Sequence, residues 1–445
     1  MSGTMTEKTA NGLYPLNATG AAKLARVASR KLAVLSEATR NSVLERAAKR
    51  LEEHAARVAA ANLNDVRDAQ ELVRTGKLSA AMLARLRVTE ENVREMAEKV
   101  RGVAKLPDPL RRRLAATELD LGLALTRETC PLGVVAVVFE SRPDVVPQVA
   151  SLALKSGNAI LLKGGAEAAR TNEVLMTIWR EALAESGEMP EGAAQLLHSR
   201  ADVMELLVLE RDVDLLIPRG GKEFVETISR QSRIPVLGHG EGICHVYVHV
   251  AADLEKAERI VMDAKTDYPA ACNSVETLLV HRDVAMEFLP RIIERLRTAG
   301  VEVRGCERTQ AVVGDVKTAS EQDWATEYAD LILSIKVVDG LEEAIAHIHE
   351  FGSGHTEAII TEDAAAAEQF LNEVDAAGVF HNASTRFADG YRYGLGAEVG
   401  ISNGKLHARG PMGIEGLTTH KYKLRGTGQT AGEYKSGKKF THRPL

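Results

Sequence analysis

Residues 133–163 read GVVAVVFESRPDVVPQVASLALKSGNAILLK, and their pattern decides the fold. Gly133 to Glu140 is a valine-rich apolar run and reads as a buried strand. Val145 to Lys155 carries a helical pattern. Gly157-Asn158 then marks a turn, and Ala159 to Lys163 (AILLK) is a second strand. Further on, the same alternation continues. A helix is expected from about Ala166 to Glu185, a strand from Gln195 to His198, and a helix from Asp202 to Glu210 with Ser199 as its N-cap. A strand (Asp214 to Ile217), a turn (Arg219-Gly220-Gly221) and a helix (Glu223 to Ser229) follow. This rhythm predicts a doubly wound parallel sheet, whose strands all end on one rim where ligands bind.

That rim carries Ser141-Arg142, Lys163-Gly164-Gly165, Ser199 and Arg219-Gly220-Gly221. No GxGxxG stretch is present, and no acidic residue follows the second strand to hold a ribose 2′-hydroxyl. Lys163 stands in that place, which favours a 2′-phosphate and so NADP over NAD. The alternatives are a solvated lysine at a strand end and, for the Gly-Gly pairs, simple turn chemistry.

Before this region, Ala21 to about Val103 is dominated by helical spacing, as in Leu44, Ala47, Ala48 and Leu51. Met1 to about Leu16 reads as a flexible lead. Arg111 to Arg113 is a short basic run, either a solvated face or a rim contact for an anion. Leu123 to Thr129 reads as a strand, separated from the next by Cys130-Pro131-Leu132.

After Pro235, the glycines of GHGEGICHVYVHV form a permissive loop, and Cys244 to Val250 is a strand. His239 and His245 could serve as acid or base, or simply be structural. Next comes TDYPAACNSVETLLVH (266–281). Cys272 lies there between a helix (Leu254 to Lys265) and a strand (Glu276 to His281), with small neighbours. A thiolate in such a loop can be stabilised by turn N–H groups, although an inert buried cysteine is the alternative. A second α/β pattern runs on to the strand Gly378 to His381, suggesting a catalytic domain that faces the first across a cleft. A glycine-rich stretch, a strand (Leu417 to Leu424) and a basic tail (Lys435, Lys438, Lys439, Arg443) close the chain. The tail reads as solvated and mobile, with partner binding as the weaker alternative.

The 445 residues suggest two or three domains. A net charge of −6 and 4% aromatics argue against a nucleic-acid surface. No apolar run reaches membrane-span length, and the start lacks the apolar core of a signal peptide. Four scattered cysteines without CxxC or Cys/His spacing disfavour a structural zinc or a disulfide framework. A cytoplasmic protein with reduced thiols and no bound metal is expected.

PLGVVAVVFESRPDV, SGNAILLKGGAEA, IPRGG, VLGHGEGICHVYV, DYPAACNSVETLLVH and AEVGISNGKLHARGPMGIEGLTTHKY resemble the gamma-glutamyl phosphate reductases (glutamate-5-semialdehyde dehydrogenases) of the aldehyde dehydrogenase superfamily. The resemblance spans about residues 17 to 428. It implies an α/β, aldehyde dehydrogenase-like fold: a Rossmann-like cofactor domain, an α/β catalytic domain and a β oligomerisation element. These are expected at 1–250, 251–405 and 406–445, with a hairpin at about 120–140 joining the oligomerisation element. Cys272 matches the nucleophile, Lys163 the lysine at the adenosine ribose, and Glu327 the glutamate at the nicotinamide ribose. Gly164, Ser199, Gly220 and Gly221 join the expected cofactor set. Gly238 stands where hydrolytic relatives carry a water-activating glutamate. For substrate, Ser141 and Arg142 are candidates to face the acyl phosphate, where Arg142 offers a bidentate fork, Asn273 joins the substrate set, and Asn382, Ser384 and Arg386 are candidates for the amino-acid end. The activity implied is NADPH-dependent reduction of L-glutamyl 5-phosphate to glutamate 5-semialdehyde and phosphate, in a homo-oligomer that could work with a separate glutamate 5-kinase. The alternatives are a CoA-acylating aldehyde dehydrogenase and a non-catalytic partner of that kinase.

Overall fold

The computed structural model describes residues 17–238 and 240–445; the expected lead over 1–16 and His239 lie outside the described residues. Helices α1 (Ala18–Leu32), α2 (Glu37–Glu53), α3 (Ala55–Arg74), α4 (Ala80–Leu86) and α5 (Glu90–Lys105) form the first layer. Four of them begin at side-chain caps, on Asn17, Ser36, Ser79 and Thr89. The buried face of α1 is mostly alanine, which lets its backbone lie close over the first sheet.

Strand β1 (Arg113–Asp120) and strand β2 (Leu123–Pro131) form a hairpin. The alternation expected next follows: β3 (Val134–Phe139), α6 (Val145–Lys155), β4 (Ala159–Lys163), α7 (Ala169–Ala184), β5 (Ala194–Leu197), α8 (Arg200–Leu206), β6 (Leu215–Arg219) and α9 (Lys222–Gln231). The sheet order is β5-β4-β3-β6, every pair parallel. Strand β3 is buried along its whole length, as a central strand covered on both faces must be. Two buried cations pin the helical layer to α6. Arg40 donates to the Lys155 carbonyl and to Asp108, and Lys155 Nζ donates to Glu37, Asn41 and the Ala104 carbonyl.

The second sheet collects β7 (Cys244–Val248), α10 (Leu254–Thr266), β8 (Val275–His281), α11 (Arg282–Thr298), β9 (Glu302–Gly305), α12 (Glu307–Val312), β10 (Lys317–Thr318), α13 (Glu321–Trp324), β11 (Ile332–Val338), α14 (Leu341–Phe351), β12 (Thr356–Ile360), α15 (Ala364–Glu373) and β13 (Gly378–His381). Its order is β10-β9-β11-β8-β7-β12-β13, again parallel throughout. This corrects the boundary expected at residue 250. Strand β7 lies between β8 and β12, so the chain changes sheets between Gln231 and Cys244. The expected limit at 405 shifts as well. Ala397, Val399, Met412, Ile414 and Leu417 belong to the first sheet's core, around the short pair β14 (Gly400–Ser402) and β15 (Gly410–Met412).

A third, antiparallel sheet joins the hairpin to β16 (Thr418–Arg425) in the order β16-β2-β1-β17. The hairpin expected at 120–140 is thus formed by β1 and β2, while β3 belongs to the parallel sheet. Gly133, at φ 130°, turns the chain from one sheet into the other. The tail is also a correction: it is docked. Helix α16 (Ala431–Lys435) and β17 (Arg443–Pro444) lie on the β1 edge, where Lys438 reaches Asp120 at 2.6 Å and Arg443 pairs with Glu118. Tyr434 stacks on Phe440 and its hydroxyl donates to Asp120. The basic residues looked solvated because their acidic partners lie more than 300 residues earlier. No described helix is long and apolar enough to cross a membrane.

Candidate active site

The C-terminal rim of the first sheet and the loop before β8 face one cleft of about 580 Å³. Cys272 lies on its wall, partly buried. Pro269 and the small residues after it cannot extend α10, so the chain makes tight turns. Ala271 N–H bonds to Tyr268 and Ser274 N–H to Ala271, a pattern that does not use the N–H groups of Cys272 and Asn273. Behind the loop, Gly242 packs so closely that a Cβ there would overlap the Cys272 carbonyl, which also accepts the Cys244 S–H. Burial drives the Cys244 thiol well above its ordinary pKa, leaving Cys272 as the thiol on the cleft.

Arg142, Arg219, Gly220, Gly221, Asn273, Glu327 and Arg386 all line this cleft, with Arg85 and Met82 from α4. Burial and the nearby Arg219 and Arg85 lower the pKa of Arg142. Gly221, the N-cap of α9, lines the cleft and has no side chain to cap the helix, and its N–H goes to the Glu140 carboxylate. Glu327 sits in a loop held by Glu276, whose carboxylate accepts the Ala329 N–H at 3.2 Å and Lys265 Nζ at 2.6 Å. Burial pushes Glu276 up to about 7 and Lys265 down from its ordinary range.

Other candidates are differently employed. Ser141 also lines the cleft, but its hydroxyl and N–H both donate to Glu167, in a backbone held at φ 44°. Asn273 uses its amide on the Arg386 and Ala388 carbonyls and on the Arg386 guanidinium, so its side chain fixes a loop and does not face a ligand. Arg386 also holds Asp267. Asn382 and Ser384 miss the cleft. They line a separate depression of about 390 Å³. There Asn382 bridges Thr361 and Glu362, and Ser384 caps the turn to Arg386. Their place in a loop after a strand was readable; the direction in which that loop faces was not.

Lys163, Gly164 and Ser199 follow the ends of β4 and β5, outside this cleft. Burial lowers the Lys163 pKa, while Glu167, Asp202 and Glu140 pull it up. Gly164 packs against Asn172 and Phe139 with no room for a side chain, and Ser199 forms a capping box with Asp202. His245 is wholly buried against Glu357 at 2.9 Å, away from the cleft. The basic run is structural: Arg111 donates to the Ala33 and Leu35 carbonyls, and Arg112 pairs with Glu415. Sequence reasoning put Arg219 on the rim without giving it a role, and missed Arg85, Lys265 and Glu276. Only Glu276 left a signal, as a charge inside an apolar strand.

The aldehyde dehydrogenase family model matches residues 13–332. Gamma-glutamyl phosphate reductase from Synechococcus sp. (strain JA-3-3Ab) is 54% identical over 423 residues, covering 95% of this chain and 93% of that protein. The enzyme of the same name from Natronomonas pharaonis is 51% identical, covering 94% of this chain and 95% of that one. The crystal structure of gamma-glutamyl phosphate reductase from Thermotoga maritima superposes with a TM-score of 0.89 at 40% identity, over 93% of this chain and all of the other. With its parallel sheets and cysteine loop, the chain belongs to the aldehyde dehydrogenase family and, within it, to the gamma-glutamyl phosphate reductases.

Proposed function

We propose that this enzyme reduces L-glutamyl 5-phosphate to L-glutamate 5-semialdehyde, the second step of proline synthesis from glutamate, with Cys272 as nucleophile. The observation that carries the mechanism is a partly buried cysteine opening into the same cleft as unpaired arginines, in a chain about half identical to reductases of that name. Cys272 attacks the γ-carbonyl, phosphate departs, and the acyl group stays on sulfur as a thioester. The N–H groups of Cys272 and Asn273, which the turn leaves without a backbone bond among the described residues, are the candidates to receive the oxyanion. The nicotinamide cofactor supplies the hydride that reduces this thioester. Cys272 then releases the aldehyde and regains its thiolate.

The residues present fit such a cofactor. The first turn of α9, where Glu140 takes only the Gly221 N–H, suits a diphosphate, and Glu327 on its anchored loop suits a ribose. For NADP over NAD the support is Lys163, which has no carboxylate in ion-pair contact among the described residues. Gly238, where hydrolytic relatives carry a glutamate, removes the base that would send water to the thioester. Arg386, the sequence candidate for the substrate carboxylate, lines the cleft but already holds Asp267 and Asn273, so it would have to share its guanidinium with the substrate. A separate glutamate kinase chain is the partner this chemistry suggests, since the acyl phosphate is labile, and a homo-oligomer is expected by analogy with the family.

The test runs the reaction backwards. Glutamate 5-semialdehyde and NADP should yield NADPH only with inorganic phosphate, and Cys272→Ala should lower the rate by at least about a thousandfold. Replacing NADP with NAD tests Lys163. Phosphate-independent NADPH formation would mean a hydrolytic enzyme and would overturn the reading of Gly238. Coenzyme A dependence would point to the acylating alternative.

A further inference from the structure

The charge on the cleft wall is unevenly matched. Lys222 holds Glu241 and Arg386 holds Asp267. Arg85, Arg142 and Arg219 are different: among the described residues, none of the three makes an ion pair or a side-chain hydrogen bond, and Arg219 Nη1 is buried without a partner. The carboxylates on the same wall do not answer them. Glu140 takes the Gly221 N–H, Asp389 takes those of Tyr391 and Arg392, and Glu398 takes that of Gly390. Around Arg142 the foremost charges are the other two arginines, with Asp144 next as the opposing charge and in no ion pair with it. Three guanidinium groups gathered from α4, the β3 end and the β6 end repel one another unless an anion lies among them.

We propose that Arg85, Arg142 and Arg219 together form the subsite for the phosphoryl group that Cys272 displaces, with Arg85 lent by the N-terminal helical layer. This rests on the acyl-phosphate reading above and extends it to the leaving group. A guanidinium offers paired donors that match phosphate oxygens, and three of them neutralise a departing dianion better than one. All three line the same cleft as Cys272. The cleavage is balanced: the C–O bond to phosphate breaks as the C–S bond forms, and the electron pair leaves with the phosphate oxygen, where the arginines hold it. The rival source of the same chemistry is the diphosphate of the cofactor.

Arg85→Gln and Arg219→Gln, each in the full-length enzyme, separate these sources. Three quantities are read: the KM for inorganic phosphate in the reverse reaction, the Kd for NADPH by its fluorescence, and the protection of Cys272 from iodoacetamide by inorganic phosphate, which needs no turnover. The expected result is a KM for phosphate raised about ten- to a hundredfold and protection lost, with the NADPH Kd within about twofold of wild type. Arg85→Lys should recover part of the effect, since it restores the charge without the fork. A weakened NADPH Kd with unchanged phosphate KM and protection would assign the arginines to the cofactor and overturn the proposal. A wild type whose Cys272 is protected by phosphate but whose turnover ignores it would sink the reaction and leave the subsite standing. Unchanged values in both glutamine variants would sink the subsite alone.

Discussion

Arg142 and Lys265 are cations on either side of the Cys272 loop, and they are treated in opposite ways. Lys265 is fully buried beneath the second sheet's cleft end, and Glu276 meets it at 2.6 Å. Half-buried Arg142 stands on the cleft wall beside two further arginines and makes no ion pair among the described residues, Asp144 being the carboxylate that acts on it from a distance. Arg40, Lys155 and Arg386, also buried among the described residues, follow the Lys265 pattern with partners inside the fold. A buried charge left alone is costly, so a protein tolerates it only where something from outside completes it. Pairing therefore separates the cations that hold the scaffold from those that wait for a ligand.

The contrast can be broken by substitution, and the largest effect on stability is expected at the paired site. Lys265→Met leaves Glu276 buried without its cation and should cost about 3–5 kcal/mol in denaturant unfolding. Lys265→Met with Glu276→Leu should recover much of that loss, because an apolar pair can replace a buried ion pair. A single variant as stable as wild type would show that Lys265 is not holding the loop of Glu327.

At the unpaired site the sign should reverse. Arg142→Met removes repulsion from Arg85 and Arg219 and should leave stability unchanged or raise it by about 1 kcal/mol, while activity falls. A loss of stability comparable to that of Lys265→Met would erase the distinction between the two regions.

The smallest effect belongs to the surface pairs of the tail. Asp120 is held down to about 2, first by Lys438 and then by the Leu121 N–H and the Tyr434 hydroxyl. Its docked pKa lies below the ordinary carboxylate value. Docking is therefore fully supported above about pH 4 and weakens as pH falls toward 2. Hydrogen exchange over residues 430–445 should accelerate on acidification, and Asp120→Asn should reproduce that acceleration at neutral pH without altering turnover. Exchange that ignores both changes would mean that backbone pairing of β17, not charge, seats the tail.

Much of this was legible beforehand for local reasons. The helix Val145–Lys155 and the strand Ala159–Lys163 were read at the bounds they occupy, because apolar period and turn residues act within a few positions. Cys272 was found the same way, from small neighbours between a helix and a strand. Strand β1 was missed because RLAATELD is only half covered and follows a basic run. Asn382 and Ser384 were placed in the right kind of loop and on the wrong side of it. Strand β7 was assigned to the wrong sheet because its burial looks the same in either.

The sequence alone determined the alternating α/β build, the loop position of Cys272 and the family, since these depend on short periods and on motifs that are contiguous in the chain. Only the tertiary structure decided which strands share a sheet, that the basic tail is docked, and which arginines have no carboxylate to answer them. The physical reason is that pairing, of strands or of charges, is a property of neighbours in space. The strand rhythm put Arg142 and Arg219 on one rim, but nothing in the chain shows that Arg85 joins them there or that no carboxylate pairs with them.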